Sequence, residues 1–371
     1  MRREKANFSK ALTPIDYYYL DYILLEMQYE ISNKRITIMT NNHHNSLLLN
    51  YHDACIYESD VSLLESKSEW LNDACIHFQI KRIEQQRMVA TTSSTSYIPS
   101  KKESVMKIPI IGMKFLDPLI SSFFMHQLSI YDEDDYNEII SLCHSWDLMY
   151  YNNYDGNECK MMIIPINDNN SANYDSFQRI GSGHHWSLLV VVTRSIGGGD
   201  SKDSNSRHSF MYFHFDSSKG CNHQTAICVA KKIEQMYSLY YQHHKNKNKK
   251  NQNDDNEDDD VVPTILPMDD NDDINVFECN VAQQENGNDC GIHTLFNAQI
   301  ISTMTYITLD DNMDTVKQIG VQLQQHLENE IMLQYQNNVM DMTTTLRTSI
   351  AKDIRTLSTL FTTDTDTKTS L

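Results

Sequence analysis

The chain has 371 residues and a formal net charge of −19. Its length permits one large domain or two ordinary ones, and one domain with insertions fits the pattern better. So acidic a chain is poorly suited to duplex nucleic acid, whose phosphates call for clustered Lys and Arg, and is better matched to a basic or neutral protein partner. Part of the charge sits in one run from Asp254 to Asp260 that reads as solvated surface, so the folded body is less acidic than the total.

Eight cysteines, at 55, 75, 143, 159, 221, 228, 279 and 290, include no Cys-x-x-Cys pair and no Cys/His cluster with zinc-finger spacing. No structural metal and no cofactor are expected, and the thiols read as reduced intracellular ones. Near the start, YYYLDYILLEM is broken by Asp21 and ended by Glu26, too short and too charged for a membrane span or an export signal. A cytoplasmic or nuclear protein is expected, with a monomer as the default.

In chain order, residues 1–45 read as an extension in which Thr13 and Pro14 can open a short helix. A compact domain is expected over 46–361. It starts with a strand-like stretch from Leu47, followed by an acidic turn before Trp70. A helix from about Asn72 is signalled by Ile76, Ile80 and Ile83 at helical spacing. The runs MMIIPI (161–166), SLLVVV (187–192) and FMYFHF (210–215) are β-branched and aromatic, bounded by turn-rich segments, and predict three adjacent buried strands. A helix over about 224–241 presents Val229, Ile233, Met236, Tyr237 and Tyr240 to one sheet face. Two insertions, about 195–207 and 243–273, are expected to be disordered because they have too few apolar side chains to bury. Helical patterns follow at about 291–303, 314–335 and 343–361, and 362–371 reads as a frayed tail.

Three segments carry chemistry. In QQENGNDCGIHTLFNAQ, Cys290 follows a Gly/Asn-rich turn and opens a helix, where the dipole and unpaired backbone N–H groups favour a thiolate. A lone cysteine there is more often a small buried hydrophobe. Its neighbours change the reading: Gly291 permits close backbone approach, and Gln284, six residues upstream, can donate its amide N–H to an oxyanion. In GSGHHWSLLVVV, His185 stands at the mouth of a core strand as a candidate general base, preferred over His184 because it adjoins Trp186. In FHFDSSKG, Asp216 ends the next strand, where it can bond the far nitrogen of His185 and stabilise its imidazolium. Alone, that histidine reads as ordinary and that aspartate as a turn cap.

Together these residues resemble the ubiquitin-like-protein-specific (sentrin-specific, Ulp-type) cysteine proteases, which use His, Asp, Gln and Cys in that chain order. His185-Trp186, Asp216-Ser217 and Gln284-x-Asn286-Gly287-x-Asp289-Cys290-Gly291 match the family's motifs, and Trp70-Leu71-Asn72-Asp73 resembles its substrate-facing helix start. SDVSLL, PINDN (165–169), HWSLLV and FHFDS look most like the deneddylase branch. The resemblance implies an α+β, papain-like fold: a central mixed sheet flanked by helices, with the nucleophile at a helix N-terminus. It implies cleavage after the C-terminal Gly-Gly of a ubiquitin-like modifier, above all the modifier of neddylation, with modified proteins such as cullins as partners. Trp70 and Trp186 would flank a tunnel for the Gly-Gly, and Asp73 and Asn167 would contact the modifier's tail. A tunnel that admits only residues without side chains excludes any Cβ, which gives the selectivity a physical cause. Departures from the pattern are Ala282, Asn288 and the long spacing between Asp216 and Cys290, and none removes a catalytic group. Rival readings are a SUMO or ubiquitin protease with the same chemistry, a non-catalytic modifier-binding module, and acyl transfer from acetyl-coenzyme A.

Overall fold

The computed structural model describes residues 46–93, 106–121, 159–168, 185–195, 208–250, 274–309, 314–336 and 341–368. The expected N-terminal extension (1–45), most of the first insertion and the part of the second beyond Lys250 lie outside them. Among the described residues no helix is long and apolar enough to cross a membrane.

The chain enters through a hairpin, β1 (Leu47–Tyr51) and β2 (Ala54–Tyr57), whose strands pair antiparallel. His52 and Asp53 form its two-residue loop with φ of 46° and 73°, the left-handed pair that matches the twist of a tight hairpin. The expected acidic turn that follows is instead a helix, α1 (Glu58–Glu65). The carboxylate of Asp60 accepts the Tyr57 N–H at 2.7 Å, and Val61 and Leu64 are buried three residues apart. The acidic residues thus serve the positive end of a helix rather than solvent.

Helix α2 (Asp73–Ser93) begins where the spacing predicts. The Asn72 side chain caps it by accepting the Cys75 N–H at 3.1 Å, and Ile76, Ile80 and Ile83 are buried. The main sheet has six strands in the order β7-β6-β5-β4-β3-β8. They are β3 (Met106–Phe115), β4 (Cys159–Asn167), β5 (Trp186–Ser195), β6 (His208–Phe215), β7 (Val276–Cys279) and β8 (Tyr306–Leu309). The three strands expected from the apolar runs are its antiparallel centre, β4-β5-β6. On either side β3 and β7 pair parallel to β4 and β6, and β8 closes one edge antiparallel to β3.

Alternation along the central strands sorts their side chains between two cores. Met161, Ile163, Leu188, Val190, Phe213 and Phe215 face the larger one, with Ile76 and Ile80 of α2 and Leu295 of α4 (Cys290–Ser302). Met162, Ile164, Leu189, Val191 and Tyr212 face the other, where α3 (His223–Lys250) lays down Val229, Ile233 and Met236 as expected. Each such side chain fully buried contributes about 1.5–3 kcal/mol. Helix α4 is buried along its length except at Gln299, its polar His293, Thr294 and Asn297 included, and lies inside the protein.

Two helices extend into segments whose sequence suggests disorder. Helix α3 runs to Lys250, into the segment expected to be disordered from about 243, and α6 (Met342–Lys368) runs through most of the expected frayed tail. A helix nucleated on buried apolar residues propagates at little further cost, so its polar end does not need burial of its own.

Helix α5 (Thr315–Gln336) crosses β7 at Gly320, where a Cβ would stand 2.6 Å from Cε1 of Phe277. Gly320→Ala should therefore destabilise the fold by about 1–3 kcal/mol despite its higher helix propensity. Thermal denaturation of Gly320→Ala, Phe277→Ala and the double variant should show the double losing less than the sum of the singles.

Candidate active site

Cys290 is the first residue of α4 and has no solvent exposure. The turn ahead of it is tied internally: Asn286 donates through Nδ2 to Asp289 Oδ2 at 2.8 Å, and its side-chain oxygen accepts the Asp289 N–H at 3.0 Å. Gly291 meets the need for close approach. A Cβ there would lie 3.1 Å from Cβ of Leu71 and 3.3 Å from Cδ1 of Ile76, so the helix start sits directly on the loop before α2.

His185 precedes β5 and Asp216 follows β6, and the antiparallel register brings the two strand ends side by side. His185 Nε2 lies 2.5 Å from Asp216 Oδ1, and Cys290 is near enough to the ring to act on its protonation. With Nε2 turned to the carboxylate, Nδ1 is the nitrogen left for the sulfur. His184 lies outside the described residues. Burial alone would lower the imidazole pKa, but the hydrogen bonds to Asp216 and Cys290 and their charges outweigh it and raise it from 6.5 to about 10. Burial likewise pushes the Asp216 carboxyl up, and the His185 bond and charge, with N–H groups from Ser218 (2.8 Å) and Asn222 (3.2 Å), bring it below its usual range.

Gln284 is oriented from both ends. Its backbone N–H donates to Ser217 O at 3.0 Å, and its side-chain carbonyl accepts from Ser217 Oγ at 2.9 Å. The amide NH₂ is then the end left for an acceptor at the site. Gln283 is committed elsewhere: its NH₂ donates to the carbonyls of Asp216 and Val281, and its oxygen accepts the Lys219 N–H.

Trp186 is buried and donates its indole N–H to Leu71 O at 2.9 Å, which brings it to the residue next to Trp70. Trp70 is 36 % exposed at the surface of that loop. Asn167 is the register partner of Trp186 across β4-β5 and is buried, and Asp73 is the first residue of α2, half-buried. His185, Asp216, Gln284 and Cys290 thus converge, with Trp186 and Asn167 beside them and Trp70 and Asp73 on the adjoining loop and helix start.

Several positioning groups were not anticipated. Asp168 brackets the His185 backbone, accepting its N–H at 2.9 Å and donating its own N–H to the His185 carbonyl at 3.1 Å. Asn222 donates through Nδ2 to the same carbonyl at 3.2 Å. Asp168 and Ser217 adjoin predicted residues, so adjacency was a usable signal. Arg347, far along the chain on α6, had none. Its buried guanidinium donates to Asp289 Oδ1 at 3.1 and 2.8 Å, and to the carbonyls of Leu63, Ser66, Glu69 and Asn288.

A model of the Ulp1 protease family, C-terminal catalytic domain, matches residues 113–320, more than half of the chain. The chain belongs to the Ulp1 protease family. It is similar to the probable sentrin-specific protease 8 of Dictyostelium discoideum, 22% identical over 194 residues, and to sentrin-specific protease 8 of Homo sapiens, 24% identical over 188 residues. These alignments take in 52% and 51% of this chain, and span 59% and 63% of the length of those relatives. Among solved structures, a de-sumoylating protease aligns at 15% identity and a TM-score of 0.41, covering 85% of this chain and 91% of that one. The mixed α+β architecture expected from the resemblance, with the cysteine at a helix N-terminus, is the one observed.

Removing Arg347 would leave the buried Asp289 Oδ1 and four part-buried carbonyls without this donor. Arg347→Ala should cost about 3–5 kcal/mol, and Arg347→Lys should recover little, because an ammonium cannot reproduce the planar fork. Urea denaturation of the two variants beside the parent checks this.

Proposed function

We propose that the chain is a thiol protease that cuts after the C-terminal Gly-Gly of a ubiquitin-like modifier. The observation that carries the reading is the buried His185–Asp216 hydrogen bond, with Cys290 acting on the same imidazole and the Gln284 side chain held by Ser217. Cys290 is the nucleophile, His185 the acid and base, Asp216 its orienter, and Gln284 the oxyanion donor.

The Cys290 sulfur, having given its proton to His185, attacks the carbonyl carbon of the modifier's last glycine. Charge builds on the carbonyl oxygen, which accepts from the Gln284 amide and the Cys290 backbone N–H. The C–N bond breaks as His185 Nδ1 passes its proton to the leaving amine, forming a thioester. Water, deprotonated by His185, then attacks the thioester and releases the modifier's carboxylate and the Cys290 thiol. The tail would enter between Trp70 and Trp186, with Asp73 and Asn167 as its contacts.

The modifier of neddylation is the preferred substrate, and its conjugates, cullins among them, the partners. Support comes from SDVSLL, PINDN, HWSLLV and FHFDS, which resemble the deneddylase branch. Both relatives bear the name sentrin-specific protease 8, which favours a ubiquitin-like modifier over ubiquitin itself.

Purified protein should release a C-terminal fluorophore from the neddylation modifier with a kcat/KM well above that for SUMO or ubiquitin, and Cys290→Ala should abolish release. Preference for another modifier would move the substrate and keep the chemistry, whereas binding without cleavage of any would make this a docking module. Gln284→Ala should lower kcat by about 10²–10³-fold with little change in KM, because the oxyanion exists only in the reaction.

The fold favours protonated His185. Its contribution is therefore complete below 6.5 and vanishes as pH rises through about 10, and kcat/KM should fall there. Asp216→Asn removes the leading cause of the upward shift, so the same alkaline fall should move to lower pH. A pH–rate profile of both proteins reads this directly.

A further inference from the structure

Among the described residues, one group of three His, Cys, Asp or Glu side chains comes close enough to hold a metal ion: His214, His223 and Glu278, whose ligand atoms all lie within 4.8 Å of one another. They come from β6, the first turn of α3 and β7, so the fold assembles what no local spacing in the chain displays. Both histidines turn Nδ1 toward Glu278 Oε1, His214 at 2.7 Å and His223 in a short contact. The other nitrogen of His214, Nε2, is held 2.9 Å from Ser187 Oγ, and that hydroxyl accepts from Asn222 Nδ2 at 3.0 Å. A ligating imidazole whose second nitrogen is fixed by an outer partner is the arrangement metal sites use to set tautomer and ring orientation.

We infer that His214, His223 and Glu278 form a site for one divalent cation of the zinc class, with water completing the coordination. Two imidazoles and one carboxylate are a borderline-soft set that suits Zn²⁺ and disfavours Mg²⁺, which demands an oxygen shell. His214 is fully buried and fixed, whereas the side chains of His223 and Glu278 are 41 % and 32 % exposed and leave a side open to water. An ion at about 2.0–2.2 Å from each ligand needs the ligand atoms roughly 3.3 Å apart, so the two His–Glu contacts must open and the wider separations close, an adjustment that falls to the exposed His223 and Glu278.

The cation would brace the turn that supports the dyad. Asn222, next to His223, donates to Asp216 Oδ2, the His185 carbonyl and Ser187 Oγ. Fixing His223 against β6 and β7 would hold that turn closed. This inference is independent of which modifier is cut.

The test uses the full chain carrying Cys290→Ala, so that the thiol of the active site cannot compete for the ion. Calorimetric titration with Zn²⁺ should give one equivalent bound and a raised Tm. Adding His223→Ala or Glu278→Gln, both at partly exposed positions, should weaken binding at least tenfold and remove the thermal shift, with metal-free Tm and circular dichroism near the parent's. Absence of Zn²⁺ binding, unchanged affinity in both variants, or an equal response to Mg²⁺ would each overturn the assignment.

Discussion

The constraint on which the site depends is a charged pair kept away from water. His185 and Asp216 are 6 % and 2 % exposed, and bringing two such ions out of solvent costs several kcal/mol each unless every lone pair and proton is met. Their direct contact, with the Ser218 and Asn222 N–H groups on the carboxylate, provides that satisfaction. It fixes the register of β5 against β6, because a slip by one residue would turn His185 or Asp216 to the opposite face and strand the other. The tight turn after β6 is explained by the same demand: it supplies the backbone donors that the carboxylate needs.

The proposed nucleophile is placed by a different device. Cys290 heads a helix that is buried at every residue but Gln299, so its position is set by the larger core. The turn in front of it carries polar groups that need partners. Arg347 answers for several at once, joining the Asp289 carboxylate to carbonyls from the end of α1 and from the loop that bears Trp70. That guanidinium sits on α6, beyond the 113–320 stretch that the family model matches. The helix near the chain's end is thereby part of the scaffold of the site. The same fork grips the Trp70 loop and the Cys290 turn and so ties the two together.

These two devices meet at the centre of the sheet. Asp216 directly follows β6, the turn carries Ser217 next, and Ser217 in turn holds both the backbone and the side chain of Gln284. A few residues around one strand end therefore orient the proposed acid-base group and the proposed oxyanion donor together. Asn222 extends the network back to Ser187 and His214, linking the dyad to the histidine–glutamate cluster on its flank.

Local pattern was enough for the elements whose own residues encode their burial. The apolar runs of β4, β5 and β6 and the helical spacing of Ile76, Ile80 and Ile83 mark buried faces because side-chain periodicity follows backbone geometry. Strands β7 and β8, of four residues each, are too short to show such a run, β3 has its run broken by Pro109 and Gly112, and the acidic residues of α1 read as a turn because charge alone does not separate a helix start from a loop. The four candidate catalytic residues were legible because each stands beside a distinctive neighbour: Trp186, Ser217, Asn286 or Gly291. The sequence by itself thus determined which chemistry-bearing residues exist and on which elements they sit. Only the tertiary structure decided that His185 turns Nε2 to Asp216, that Ser217 aims Gln284, that Arg347 clamps the nucleophile's turn, and that His214, His223 and Glu278 converge. The reason is physical: those choices are made by hydrogen-bond satisfaction between segments far apart in the chain, and one-dimensional spacing carries no record of that distance.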